Sequence, residues 1–109
     1  GRFPLWCAPV QVGLLPITDA QVPFAGEIAG KMTGELFRVK SFDGAGNLNK
    51  RIREAQLEQI PYMAVIGKRE VEARSVSLRL RTGEDRGAVP LETFLALCRE
   101  KRGSRSLDL

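Results

Sequence analysis

The chain has 109 residues, of which 43% are hydrophobic and 28% are charged, and this balance predicts one globular domain with one core and excludes a disordered chain. Its 17 Lys and Arg residues outnumber its 13 Asp and Glu residues, and the formal net charge of +4 favours polyanionic partners only weakly. Histidine is absent, which excludes a histidine general base, a histidine-dependent nucleophile and a histidine zinc ligand.

The first third of the chain predicts a linker, a strand and a helix. Residues 1–9 contain two prolines, which disfavour regular structure, and we interpret them as a linker. Residues 10–17 are mostly apolar and predict a buried central strand. Thr18 then opens a capping-box pattern, and an apolar stripe with steps of three and four residues predicts a helix that begins near Pro23.

The middle of the chain predicts a second unit of strand, helix and strand. Residues 37–42 alternate between apolar and polar, which is typical of a half-buried strand. The glycine-rich residues 43–47, DGAGN, predict a loop, and residues 48–59 have helical propensity. Pro61 ends that helix, and the short apolar run 62–66 predicts another strand.

The next segment predicts a strand with one polar side. Residues 68–74 indicate a polar turn or a short helical excursion. Residues 75–81 alternate cleanly, so that Arg79 and Arg81 lie on the side opposite the apolar residues. Residues 82–87 indicate a turn.

The end of the chain completes the predicted architecture. A last helix is expected to begin at Pro90, a favourable first helical residue, and residues 103–109 are expected to form a frayed tail after a domain at 10–102. Strands that alternate with crossover helices predict an α/β fold with a parallel central sheet and helices on both faces. The short 67–75 connection predicts an antiparallel edge.

The sequence offers few groups for catalysis. Gly44 and Gly46 form a G-x-G pair, but the third glycine of a dinucleotide fingerprint and a G-K-[ST] motif are both missing, so we interpret the pair as a turn. Cys7 and Cys98 form no C-x-x-C pair, and we expect two buried thiols in a reducing compartment. We therefore expect no catalytic residue and no metal ligand in this chain.

The chain also lacks the signals of a membrane or secreted protein. No apolar run approaches the ~20 residues of a membrane span, and no secretory signal pattern is present. We therefore expect a cytoplasmic location and no membrane partner. Because the chain begins at Gly1 rather than at Met, we interpret it as a piece of a longer protein.

The basic residues are the most informative polar groups, and they fall on the polar strand, before it and on the second helix: Arg79, Arg81, Lys68, Arg69, Lys50, Arg51 and Arg53. An arginine can donate to O6 and N7 of guanine together, and it can stack on an unpaired base. A solvated surface with weak ion pairs is the alternative. The pattern alone leaves both interpretations open.

Several runs resemble the anticodon-binding domain of threonyl-tRNA synthetase, a domain type shared with the prolyl, histidyl and glycyl enzymes. These runs cover nearly the whole chain and read FPLWCAPVQVGLLPITD, KRIREAQLEQIPYMAVIGKREVE, SVSLRLRTGEDRGAV and RGSRSL. The run IREAQLEQIPYMAVIG resembles the wider group, whereas APVQV and the S-R-S-L ending resemble the threonyl branch. GRFPLW resembles the junction with an upstream catalytic core.

The resemblance implies a five-stranded mixed β-sheet flanked by three α-helices. It implies a non-catalytic domain that binds the anticodon stem-loop of threonine tRNA, whose last two anticodon bases are G and U. Catalysis would then belong to an upstream domain of the same protein. The resemblance further implies that ATP, magnesium and zinc are cofactors of that parent enzyme and that the enzyme is a homodimer.

The resemblance also assigns roles to single residues. Glu70 and Arg79 fall where the family places polar contacts to the anticodon bases. A carboxylate can accept from the N–H groups of guanine, and an arginine fork can donate to its O6 and N7. Contacts to the RNA backbone are expected from Lys50, Arg51, Arg53, Lys68 and Arg81.

Two departures from the family pattern keep a second function open. The glycine-rich loop 43–47 replaces charged residues that include Arg and Glu, and Asn47 is the candidate substitute for their contacts. Gln59 stands where some relatives carry Arg. The alternative is a protein–protein interaction module on the same fold that has lost tRNA reading. Glu70 and Arg79 favour RNA binding, whereas the altered loop favours the alternative.

Overall fold

The structure, a computed structural model, describes residues 10–42 and 47–104, with backbone only at 103–104. Five strands form one mixed sheet: β1 (Val12–Pro16), β2 (Val39–Ser41), β3 (Tyr62–Ile66), β4 (Ser75–Leu80) and β5 (Asp85–Pro90). The α-helices are α1 (Val22–Gly34), α2 (Leu48–Leu57), α3 (Lys68–Ala73) and α4 (Leu91–Ser104), and a 3-10 turn at Asp19–Gln21 precedes α1.

The sheet has a parallel half and an antiparallel half. The strand order is β2-β1-β3-β4-β5; β1 pairs in parallel with β2 and β3, whereas β3–β4 and β4–β5 are antiparallel. In this register Met63 lies opposite Arg79 and Val65 lies opposite Ser77. The predicted five-stranded mixed sheet with a parallel centre and an antiparallel edge is therefore confirmed.

One face of the sheet packs against α1 and α4. Alternate residues of β1, β3 and β4 point to this face because successive side chains of a strand point to opposite sides. The cluster is closed by the apolar stripes of the two helices, and its fully buried members include Val12, Leu14, Ile28, Met32, Tyr62, Ala64, Ile66, Val76, Phe94 and Cys98. The ring of Tyr62 meets the ring of Phe94 edge to face, with centroids 6.2 Å apart.

The opposite face is covered by α2 over only part of its width. This second cluster joins α2 and its flanking residues to β1 and β3, and its members are Leu15, Phe42, Ile52, Ala55, Ile60, Met63 and Val65. No described residue of β4 or β5 belongs to it. The α2 side of the β4–β5 hairpin is therefore an open sheet face, and it carries the half-buried Ser77 and Arg79.

Local sequence signals explain where the first helical segment starts. The Thr18 hydroxyl accepts from the amide of Ala20, and the Gln21 side chain accepts from the amide of Thr18 at 2.8 Å. The predicted capping box is thus confirmed, and α1 follows it with Pro23 in its first turn, where a missing N–H costs no helical hydrogen bond.

Two boundaries and the number of helices differ from the expectations. Residues 85–90, which were partly assigned to a turn, form β5, and Pro90 is its last residue rather than the first of α4. The short helical excursion that was one alternative for residues 68–74 is confirmed as α3, a fourth helix beside the three that the resemblance implies. α4 continues to Ser104, two residues into the predicted tail, whereas the linker 1–9 and most of the loop 43–47 lie outside the described residues.

Candidate nucleic-acid interface

Two helices begin at the same edge of the sheet. The strands β1, β2 and β3 run in parallel, so their carboxyl ends share one edge, and α2 and α3 each start after one of these ends. The guanidinium of Arg51 in the first turn of α2 reaches the carbonyl of Pro16 at the end of β1. The first turns of α2 and α3 thus lie at the carboxyl edge, and α3 contacts β4.

Glu70 is fixed at the beginning of α3. Its Oε1 accepts a hydrogen bond of 2.6 Å from the amide of Gly67, the residue that caps the helix. The side chain is half-buried. Because the amide of Gly67 has no helical partner, this bond stabilises the start of a helix of only six residues. The predicted base-reading carboxylate is therefore also a structural cap.

Arg79 lies on the open face of β4, as its place in the alternating pattern predicts. Its side chain is 35% exposed, and its Nη2 lies 3.7 Å from Oδ2 of Asp85 on β5. Asp85 is itself fixed, because its Oδ1 accepts a hydrogen bond of 2.8 Å from the amide of Gly87. The partner of Arg79 is thus Asp85.

Several of the predicted backbone contacts lie at or near the carboxyl edge. Lys50 and Lys68 are exposed in the first turns of α2 and α3, and Arg53 is exposed three residues after Lys50, on the same side of α2. Asn47 caps α2, since its Oδ1 accepts from the amide of Lys50 at 2.9 Å. Lys50, Arg53 and Lys68 thus combine positive charge with an accessible position.

Two predicted backbone contacts are placed differently. Arg51 is half-buried and its guanidinium donates to the carbonyl of Pro16, so it holds α2 against β1. Arg81 follows β4 at the opposite edge of the sheet, where its amide donates to the carbonyl of Pro61 at 3.2 Å. Arg79 lies opposite Met63 in the sheet, and Gly67 lies four residues after Met63. The distance along the strand from Met63 to Gly67 is about 13 Å. Arg81 lies further still from Glu70.

Aromatic rings are not part of the described surface. The rings in the described residues are all buried, namely Phe24, Phe37, Phe42, Tyr62 and Phe94. Stacking on unpaired bases is therefore restricted, within residues 10–42 and 47–102, to the planes of arginine side chains. Arg79 is the arginine that lies on the open sheet face of β4.

The buried thiol and the buried phenol of the described residues are held in their protonated forms. Burial raises the pKa of the Cys98 thiol to about 12 and raises the pKa of Tyr62 above its usual range, so both stay protonated. Among the described residues, no group of three or more Cys, Asp or Glu side chains could hold a metal ion. No helix in the described part of the chain is long and apolar enough to cross a membrane.

Two residues of this surface were not found from the sequence. Asp85 was assigned to a solvated turn, although a hairpin between two strands would have placed it across from Arg79. Gly67 was assigned only to the end of a strand, although Glu70 three residues later is the spacing of a helix cap. The first signal depends on β5, which the pattern did not predict, and the second depends on α3, which the pattern gave only as an alternative to a turn.

These features define a class of protein: an α/β domain that displays an acceptor, a guanidinium fork and several cations around one open side of a mixed sheet. The sequence model of a family described as "Anticodon binding domain" matches residues 11–101. The chain belongs to this anticodon-binding domain family.

Curated relatives are threonine–tRNA ligases. The chain is 42% identical over 108 residues to the ligase of Symbiobacterium thermophilum, a match that covers 99% of this chain and 17% of that protein. It is 46% identical over 99 residues to the ligase of Oleidesulfovibrio alaskensis, which covers 91% of this chain and 15% of that protein. The chain therefore spans only a small part of the length of these relatives.

Solved structures give the same fold. The RNA-binding domain of threonyl-tRNA synthetase from Cryptosporidium parvum is 31% identical, with a TM-score of 0.86 over 93% of this chain and 26% of that chain. A prolyl-tRNA synthetase of the same organism is 22% identical, with a TM-score of 0.79 over 95% of this chain and 23% of that chain. The second likeness shows the fold alone.

Proposed function

We propose that this domain reads the anticodon of threonine tRNA as part of a threonine–tRNA ligase. Membership of the anticodon-binding domain family supports the RNA partner, and the threonine–tRNA ligases among its relatives support the amino-acid identity. The observation that carries the proposal is that Glu70 is held at the carboxyl edge while Arg79 lies on the open face of β4.

The two side chains supply complementary chemistry for a guanine. Glu70 offers a carboxylate oxygen, which accepts from the N–H groups of the base, and Arg79 offers a fork that donates to O6 and N7. The anticodon of threonine tRNA has G at its middle position, and loop bases are unpaired and open to such contacts. Because Arg79 lies 3.7 Å from Asp85, beyond hydrogen-bond length, its donors remain available for a base.

The exposed cations would hold the RNA backbone. Lys50, Arg53 and Lys68 can bind phosphates near the carboxyl edge, and Asn47 can add a polar contact. Arg81 would contact a phosphate at the other end of β4. Arg51 is left out of this set because its guanidinium donates to the carbonyl of Pro16.

The remaining functions of such a ligase belong to other parts of the protein. We propose that an upstream catalytic domain carries the aminoacylation chemistry, that the parent enzyme is a cytoplasmic homodimer, and that ATP, magnesium and zinc bind outside this domain. The described residues do not fit a metal, because they contain no cluster of metal-ligating side chains. This domain would therefore contribute recognition alone.

The test is a titration of the purified domain with two RNAs. The first is the anticodon stem-loop of threonine tRNA, and the second is the same stem-loop with its middle G replaced by A. We expect tighter binding of the first, because the second lacks the O6 acceptor that Arg79 would contact. Equal binding of the two loops, or no binding, would instead favour a protein–protein module on the same fold.

A further inference from the structure

Gly67 has an unusual steric environment for a residue without backbone strain. Its φ of −112° and ψ of −171° are extended values that any residue adopts. A Cβ at this position, however, would lie 2.8 Å from Cδ1 of Ile17 and 2.9 Å from Oε1 of Glu70. Both distances are shorter than real Cβ contacts, so a side chain at this position would displace the end of Ile17 and the carboxylate of Glu70.

The same contact fixes the Glu70 carboxylate. The amide of Gly67 donates to Oε1 at 2.6 Å, and the missing Cβ allows the carboxylate to approach this closely. No other hydrogen bond to the Glu70 side chain is formed within the described part of the chain. Oε1 is thus held at the helix cap, and the carboxylate keeps acceptor sites for a ligand on both of its oxygens.

We infer that Gly67 is a positioning residue that holds the Glu70 carboxylate in place as an acceptor for an RNA base. This inference rests on the proposed function. Each carboxylate oxygen has two lone-pair sites, so the cap hydrogen bond leaves Oε2 and one site of Oε1 to accept from the N–H groups of a base. Glu70 then contributes a charge-assisted acceptor whose position is set by its hydrogen bond to the Gly67 amide.

Substitution at Gly67 tests the inference. In Gly67→Ala the new Cβ displaces Oε1, so stem-loop binding should weaken about tenfold, the effect expected for one charge-assisted hydrogen bond. Glu70→Ala should have a similar effect, and the double variant should bind no more weakly than Glu70→Ala, because both changes act through one carboxylate. Glu70→Gln should keep the cap and the thermal midpoint but lose binding, since its amide nitrogen donates.

Two further variants separate positioning from stability. Gly30→Ala on α1 is the matched control, because a Cβ there meets nothing within 4 Å, and its binding should equal that of the wild type. If Gly67→Ala fails to fold, the double variant Ile17→Ala, Gly67→Ala removes the clash with Ile17 and keeps the clash with Oε1 of Glu70. That variant should fold and still bind about tenfold more weakly.

The outcomes separate the inference from the proposed function. If the wild type does not bind the stem-loop, the proposed function is wrong and the inference fails with it. If the wild type binds and folded Gly67→Ala binds equally well, only the inference is overturned. Losses that add fully in the Gly67→Ala, Glu70→Ala double variant would also overturn it, because two independent roles would then be at work.

Discussion

At the scale of single residues, the specificity of this surface depends on the shape of the Arg79 side chain. Arg79→Ala should cost about 1–3 kcal/mol in binding of the threonine stem-loop and should reduce discrimination at the middle base. Arg79→Lys should be nearly as harmful, because an ammonium group cannot reproduce a bidentate fork. Arg81→Ala, the matched control, should weaken all loops equally. A lysine variant that keeps the wild-type discrimination in a filter-binding assay would contradict this role.

Asp85 should act on the RNA through Arg79. Asp85→Asn keeps the oxygen that accepts from the Gly87 amide but removes the charge that lies 3.7 Å from Arg79. Stability should change by less than about 0.5 kcal/mol, since the ion pair is exposed. Discrimination between the two loops should fall, because the fork loses the carboxylate that orients it. In a variant that already carries Arg79→Ala, Asp85→Asn should not change discrimination between the two loops. An equal fall in discrimination there would show that Asp85 does not act through Arg79.

The residues of the site were predictable to different degrees. The alternation of residues 75–81 placed Arg79 on the polar side of its strand, which the structure confirms. The resemblance selected Glu70 but gave no sign that its carboxylate caps α3. Arg51 shared the charge of its neighbours in the sequence, and only the packing of α2 against β1 shows that its guanidinium points into the fold.

At the scale of elements, ion pairs connect the helices on the α1 side of the sheet. Arg99 of α4 donates twice to the carboxylate of Glu35, at 2.6 Å each, and the Arg102 guanidinium lies 3.8 Å from the centre of the Phe37 ring. Arg74, which follows α3, pairs with Glu27 of α1 through a single nitrogen, Nη2. The Arg99 and Arg74 guanidiniums lower the pKa of Glu35 and of Glu27 below their ordinary values.

These pairs predict a specific dependence of stability on pH. A carboxyl whose pKa is lower in the folded state stabilises the fold above its ordinary pKa, and this stabilisation is lost as the pH falls through the lowered value. Glu35→Gln should therefore flatten the fall of the thermal midpoint below about pH 4.5. Glu100→Gln, which alters an exposed glutamate on the same helix, is the control. Identical midpoint curves for wild type and Glu35→Gln would contradict this account.

The sequence predicted most elements because their patterns are local. Strands β1, β3 and β4 and helices α1, α2 and α4 follow from apolar runs, alternation and helical stripes. Strand β5 was missed because Gly87 and Pro90 give it the composition of a turn, and because it is an edge strand with little buried surface. Its pairing with β4 is a tertiary property, as is the cap that makes α3 a helix.

At the scale of the whole molecule, charge should determine how binding responds to salt. Each phosphate contact to single-stranded RNA lowers the slope of log affinity against log salt by roughly 0.7. Four contacts, from Lys50, Arg53, Lys68 and Arg81, predict a slope of about −3. Lys68→Ala should make this slope shallower by roughly 0.7. Lys31→Ala removes the same charge from the opposite face and should leave the slope unchanged. A wild-type slope near zero would exclude phosphate contacts.

The central claim is that RNA binds the open α2-side face of β4 and the carboxyl edge beside it, and NMR mapping tests it most directly. Adding the threonine anticodon stem-loop to the ¹⁵N-labelled domain should shift the amide signals of Gly67, Glu70, Ser77 and Arg79. The signals of α1 and α4, on the other face of the sheet, should stay in place. Shifts confined to α1 and α4, or no shifts at saturating RNA, would contradict the account.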